Sequence, residues 1–509
     1  MGFVSILDKK IQPYEDCSVP NFMVDLNLDQ VVRQIQLLWP EEIEKLYYFL
    51  PKDKEVSDYR RAVYADIKKE NVFDILNRFV EQMRERKHAV ENGEAVYHTL
   101  QKHIWFVLEV ATYCDACTAL CEALKKSAIT SEGLTAFYKE LSAYTTADSY
   151  QKMQETALEL REELGKFHVT LVYENERIAI AEERQPGTYE NFLKQAFGER
   201  NDILRSPFKK SMNLTNFEQE IVNVFQKNRA DFVSKAKKFS DQYKDYAKEW
   251  VLCFAKEIPF YLSYHQFRQV MVNGGFAFAE PSVDETTPMK ASRLYDLALA
   301  IVNLSQNKEV VSNEVQYYEG EQFFVLTGPN QGGKTTFARS LGQLVYFTKL
   351  GLDVPAQHAN VHHFTRILTH FSVEESVETG RGKLKEELVR LRPMMEEESD
   401  GAFVIINELF TTAANYDACL MGKKVLSRFI GEKCRGIYVT HLKELAEEGE
   451  GVVSLCAMLD EQLMQNFKII RKPADDTACA QNQVNKYQLS YEQLKKRLDK
   501  QPHGNGEER

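Results

Sequence analysis

The 509-residue chain has no uninterrupted apolar run approaching the roughly 18 residues a helix needs to cross a bilayer. Its opening, MGFVSILDKKIQPYED, lacks the apolar core of a secretory leader. Neither a membrane span nor export is expected, and a cytoplasmic protein follows. Ile6 stands where a myristoylation signal has Ser or Thr, which discounts lipidation. Cysteine is sparse and unpatterned; nine is an odd number, and scattered thiols point to a reducing compartment. One cluster, CDACTALC, places Cys114, Cys117 and Cys121 at i, i+3 and i+7 of a strongly helical segment. No histidine stands at a fitting spacing, so a buried helix stripe is expected there rather than a metal centre. A positive charge surplus is missing too. The formal net charge of −11 argues against a surface coated for nucleic-acid binding.

What is present is the profile of a globular protein, with 44% hydrophobic and 27% charged residues. The length allows about two to four domains. Residues 1–28 read as irregular, with Pro13 and Pro20. Residues 29–272 read as a mainly helical region, with apolar residues at spacings of three and four in LDQVVRQIQLLW and NVFDILNRFVEQMRERKHAV. A small β-containing insertion near 165–215 holds the pair HVTLVY and RIAIAE. A long helical stretch from Asn216 to about Val272 follows, with Pro259 as a candidate kink. Between Arg205 and Lys248 ten Lys/Arg face five Asp/Glu; this is a solvated helix face or a phosphate-contacting arm. From NGGFAF onward, residues 273–490, near-continuous apolar strands alternate with helices, as in a sheet buried on both faces. Residues 491–509 are a charged tail.

The stretch FFVLTGPNQGGKTTFARSLG carries the strongest chemical signal. Gly328, Gly333, Lys334 and Thr335 fit G-x-x-x-x-G-K-[ST], between an expected strand and an expected helix. Glycines let main-chain N–H groups turn inward as an anion nest, and the helix N-terminus adds partial positive charge. Gly328, Pro329, Asn330, Gln331, Gly332, Gly333, Lys334, Thr335 and Thr336 are therefore candidates for binding ATP, with Lys334 on the β/γ-phosphates and Thr335 on Mg2+. Glu408 ends the strand GAFVIINEL, 74 residues beyond Lys334, where a carboxylate can polarise an attacking water. Asn407 precedes it at the position where an Asp usually supports Mg2+, so weaker metal binding or slow turnover is expected. His441 ends a third strand in IYVTHLKEL and is a candidate sensor of the γ-phosphate.

This series resembles the ABC-type ATPases, and its wording resembles the MutS mismatch-repair family. TGPNQGGKTTFARSLGQLVYFTKLGLDVPAQ is similar to that family's TGPN-x-GGK-[ST]-T loop followed by VPAQ. ILTHFSVEESVETGRGKLKEEL is similar to its segment ending SGRSTF-x-x-E. NELFTTAANYDA lies where the family has DE-x-GRGTST-x-DG, and VVSNEV resembles its element ahead of the loop. The strong match covers Val310 to Leu445. The resemblance implies an α/β ABC-type P-loop ATPase domain in the C-terminal half, preceded by a mainly α-helical lever- or clamp-like region. It implies a homodimer in which Gly380, Arg381 and Gly382 cap the nucleotide of the other subunit, Gln357 couples the γ-phosphate to the rest of the protein, and distorted or branched DNA is the partner. Gly382 replaces the signature serine, and Phe410-Thr411-Thr412-Ala413-Ala414-Asn415 replaces GRGTST, so a retuned ATPase is expected. No mismatch-reading F-x-E domain is found ahead of the helical region. An ABC-type ATPase acting on a protein partner without DNA, and a nucleotide-binding scaffold without turnover, are the alternatives.

Overall fold

The structure is a computed structural model that describes residues 3–10, 18–174, 177–182, 216–306, 308–371, 382–396, 399–447, 449–459, 465–474, 491 and 494–495. The chain divides into two compact units: Met1–Ile11 with Ala65–Leu262, and Gln12–Tyr64 with Ser263–Arg509.

Helices α1 (Asn21–Asp25), α2 (Leu28–Leu37), α3 (Glu44–Tyr48) and α4 (Lys54–Ile67) come first along the chain. The helical unit is then built on α5 (Glu70–Ala95) and α6 (Thr99–Lys126), with α7 (Glu132–Thr145) and α8 (Asp148–Gly165) packed on α6. By length and apolar character α6 could cross a membrane, yet Val107, Val110, Ala111, Tyr113, Leu120 and Leu124 are buried inside this bundle. Cys114 and Cys117 are buried in the same stripe, and Cys121 is half-buried beside Thr145. Burial pushes the Cys114 thiol up to about 12 and raises Cys117 as well, so both are inert thiols. Among the described residues no group of His, Cys, Asp and Glu is placed to hold a metal. Strands β1 (Val169–Glu174) and β2 (Arg177–Glu182) form an antiparallel hairpin.

The stretch from 216 to 273 is not one kinked helix. It is α9 (Asn216–Asn228), α10 (Ala230–Gln242), α11 (Glu249–Glu257) and α12 (Pro259–Asn273). Pro259 opens α12, where its fixed φ suits a first helical residue and its missing N–H costs nothing. On α10, Phe232, Ala236 and Phe239 face the core while Lys235, Lys237 and Lys238 are exposed. Lys235 pairs with Glu163 at 3.6 Å and Lys244 with Asp241 at 3.9 Å.

The second unit holds a three-stranded antiparallel sheet, in the order β4 (Asn313–Gln316), β3 (Lys290–Leu294), β6 (His358–Asn360). Its six-stranded sheet runs β11 (Gln465–Arg471), β10 (Val452–Leu459), β5 (Phe323–Thr327), β9 (Arg435–Val439), β8 (Phe403–Asn407), β7 (Ile367–Phe371). All neighbours are parallel except β10 and β11. β5 and β8 are buried at every position, as their unbroken apolar runs require. The registers set Leu326, Val439, Asn407 and Phe371 in one row, so four strands end flush. Helix α13 (Leu297–Gln306) precedes β4; α14 (Lys334–Leu350) follows β5, α15 (Lys383–Glu396) follows β7, and α16 (Asn415–Gly431) links β8 to β9.

Two expectations change here. Residues 1–28 are not wholly irregular: α1 folds at Asn21–Asp25, burying Met23 and Asp25. Residues 29–64, expected with the helical region, fall with 12–28 in the sheet unit, and so do 263–272. The reason lies in α14, buried from Phe337 to Leu350 except at Arg339. The early segment covers its polar groups: Gln343 Nε2 donates to Leu26 O at 3.0 Å and Arg339 Nε to Asp25 O at 3.0 Å. Tyr346 OH donates to Tyr47 O at 2.7 Å, and Ser57 Oγ to Lys349 O at 2.7 Å. A Cβ on Gly342 would lie 2.5 Å from a Leu26 methyl and 2.7 Å from the Ile405 Cδ1 methyl. Gly342→Val is therefore expected to lose about 1–3 kcal/mol of stability by overpacking, read as a lowered urea midpoint at unchanged slope.

Candidate active site

The loop from Gly328 to Gly333 joins β5 to α14, and its glycines are required by contact. Gly328 has φ +129°, and a Cβ there would meet the Ala457 Cβ at 2.9 Å and its main-chain N at 3.0 Å. Gly333 has φ +85° and precedes the first helical residue, Lys334. The Lys334 stem is buried, and its Nζ donates to Gly328 O at 2.9 Å and Pro329 O at 3.0 Å. The ammonium thus sits inside the loop's own curve.

The flush strand ends bring the distant candidates to this loop. Thr335 Oγ1 donates to Asn407 Oδ1 at 3.0 Å across 72 residues of sequence. Glu408 N donates to Val439 O at 2.9 Å, and Thr440 N to Leu326 O at 3.0 Å. Glu408 and His441 approach at 3.4 Å, both partly exposed. Glu408 takes φ +53° and Phe410 φ +64°, a left-handed backbone that non-glycine residues hold at a cost of roughly 1–3 kcal/mol each.

A cavity of about 480 Å³ lies against the loop, lined by Asn330, Gln331, Gly333 to Phe337 and Glu408. Its other wall is Tyr295, Leu299, Val310, Asn313 and Phe467, side chains that motif reasoning did not nominate as site residues. Asn313 anchors that wall: its Nδ2 donates to Phe467 O at 3.2 Å and its Oδ1 accepts from Ile469 N at 2.8 Å. Phe467, at φ +58°, lays its ring beside Gly333. Asn313 lies within VVSNEV and so carried a signal; Phe467 carried none, because its place depends on β11 pairing at the sheet edge.

Not every candidate joins this cluster. Gln357 is exposed just before β6, its N–H on Ser292 O at 2.9 Å, and does not line the cavity. Gly382 is exposed ahead of α15, with nothing within 4 Å of a would-be Cβ. Gly380 and Arg381 lie outside the described residues.

The family model for MutS domain V matches residues 324–483, which contain every candidate residue named above from Gly328 to His441. The DNA mismatch repair protein MutS of Fervidobacterium nodosum is 22% identical over 315 residues, 57% of this chain and 37% of that protein. The DNA mismatch repair protein MSH3 of Arabidopsis thaliana is 27% identical over 225 residues, 44% of this chain and 20% of that protein. Over this segment the chain is similar to MutS-family proteins. It spans a minor part of the length of these curated relatives. Against the MutS-family pattern, Asn407 puts a neutral amide where an acid stands, and Phe410 occupies a glycine position with a glycine-like φ.

Helix α15 is tied to β7. Arg390 donates to Phe371 O at 2.8 Å and reaches Asp25 at 3.4 Å, and His370 Nε2 meets Glu387 O at 3.3 Å. A carbonyl only accepts, so the ring carries its proton on Nε2. Burial first, then the Arg390 charge, lowers His370 from 6.5 to about 4. Between these values the unfolded chain binds a proton that the native ring refuses, so stability falls as pH drops through that window, by up to about 3 kcal/mol. Urea melts from pH 7 to pH 4.5 are expected to show this acid loss, and His370→Gln to flatten it.

Proposed function

We propose that this chain is a MutS-family ATPase, an ABC-type P-loop enzyme that hydrolyses ATP at the cavity beside Lys334. The observation that supports this reading is the flush row of strand ends: Lys334, Thr335 and Glu408 line the cavity, Asn407 is hydrogen-bonded to Thr335 at 3.0 Å, and His441 lies 3.4 Å from Glu408. β9 lies between β5 and β8, so the His441 strand sits between the loop strand and the Glu408 strand.

The donor set fits Mg2+: Thr335 Oγ1 and Asn407 Oδ1 are hard oxygens already 3.0 Å apart. When bound, Mg2+ neutralises phosphate charge. Loop N–H groups and the α14 N-terminus hold the phosphates, and Lys334 leaves the loop carbonyls to reach them. Phe467 offers the nucleobase an aromatic face. Glu408 accepts a hydrogen bond from the attacking water and orients it, while His441, 3.4 Å from Glu408, contacts the γ-phosphate side. Because Asn407 adds no charge, turnover is slow. Gly380, Arg381 and Gly382 complete the site of a second copy, Gln357 relays closure, and the homodimer engages distorted or branched DNA in the cytoplasm. Lys227, Lys237 and Lys238, exposed on the helical unit, are its phosphate-contacting candidates.

Glu408→Gln is expected to lower kcat about 100-fold or more while MgATP still binds. Equally slow hydrolysis by wild type and variant would sink the enzyme reading. For the DNA part, homoduplex, mismatched, branched and single-stranded DNA are titrated with and without ATP over a salt series. Retention of branched or distorted DNA that weakens with salt is expected. No retention on any of the four moves the reading to a protein partner.

A further inference from the structure

Two left-handed non-glycine residues, Glu408 and Phe410, stand within three positions at the end of β8. Such a backbone persists where its surroundings over-determine it. Three anchors do so. The Glu408 N–H is held by Val439 O at 2.9 Å. The Phe410 ring is buried in the core between α15, β8 and α16, packed with Leu409, Leu391 and Met394. The third anchor comes from another element: Glu387 of α15, itself 3% exposed, accepts from the Phe410 N–H at 3.1 Å with Oε2. Glu387 does not line the cavity, so it touches neither nucleotide nor water there.

We propose that Glu387 is a positioning residue for Glu408. It holds the loop through the Phe410 main chain, and the placement of α15 thereby sets how Glu408 is presented to the cavity. This rests on the reading of Glu408 as the water-orienting group. A glycine at 410 would adopt φ +64° unaided. Phenylalanine does not, so here the conformation depends on the clamp. The clamp is stiff at its other end, because His370 on β7 holds the Glu387 carbonyl at 3.3 Å. The helix that carries Glu387 begins one residue after Gly382, which is exposed.

The test measures kcat, KM for ATP and MgATP binding on the full chain, with thermal melting as the folding control. Glu387→Ala is expected to lower kcat about 10- to 100-fold, the scale of a misplaced catalytic group, with KM and MgATP affinity within about twofold. Glu387→Gln, whose amide oxygen accepts the same N–H, is expected to stay within about fivefold of wild-type kcat. Should the Ala variant not fold, Glu387→Asp, one methylene too short to reach Phe410, takes its place with the same expectation. A folded Ala or Asp variant with wild-type kcat overturns the inference. So does a parallel fall of kcat, affinity and melting temperature in all variants, which marks a purely structural carboxyl. Wild-type protein that binds MgATP without hydrolysing it overturns the ATPase reading itself, and that result is read before any variant is made.

Discussion

The sheet unit depends on the burial of a helix that is not very apolar. KTTFARSLGQLVYFTKL carries Lys, Thr, Arg, Ser and Gln, yet as α14 it is enclosed along nearly its whole length. Each polar group left unpaired there would cost about 1–3 kcal/mol. The enclosure is possible because the segment from Asp25 to Ser57 and other parts of the sheet unit supply partners. Gln343 spans Leu26 O and Leu297 N, Ser57 and Tyr346 tie α14 to the early segment, and Lys349 donates to the carbonyls of Phe364 and Thr365. Burial lowers the Lys349 ammonium to about 8, a sign of how dry its surroundings are.

A helix held in this way presents its N-terminus at a fixed point, and the flush strand ends do the same for β8 and β9. Local strain gathers where these constraints converge: Gln331, Glu408 and Phe467, which line the cavity, carry positive φ, and so does Phe410 in the core two residues beyond Glu408. In such a place main-chain position, more than side-chain identity, decides what a carboxylate can reach. That is why the neutral Asn407 can keep its place: its oxygen stays 3.0 Å from Thr335 although its charge is gone.

The helical unit is held together differently. Its polar anchors join distant segments: Asp66 accepts from Thr130 N at 2.9 Å and Ser131 N at 2.7 Å, and Glu257 accepts from Ser5 Oγ at 2.8 Å. Between them lies aromatic packing, with Phe137 and Phe254 stacked at 3.6 Å between centroids. Burial here fixes shape; the exposed lysines of α10 stand outside it.

The sequence alone determined the glycine-rich loop and the strands β5, β8 and β9, and it marked Lys334, Thr335, Asn407, Glu408 and His441 as candidates. Unbroken apolar runs and glycines at forced turns are local signals, and each is written in adjacent positions. Cys114 and Cys117 were legible in the same way, because helix periodicity is local too. Only the tertiary structure decided that the segment from Asp25 to Ser57 covers α14, that Phe467 and Asn313 wall the cavity, and that Glu387 holds Phe410. Each of those is a contact between segments far apart in the chain. It depends on which faces meet, and on which polar groups burial forces to find a partner, and neither is recorded in any short stretch of residues.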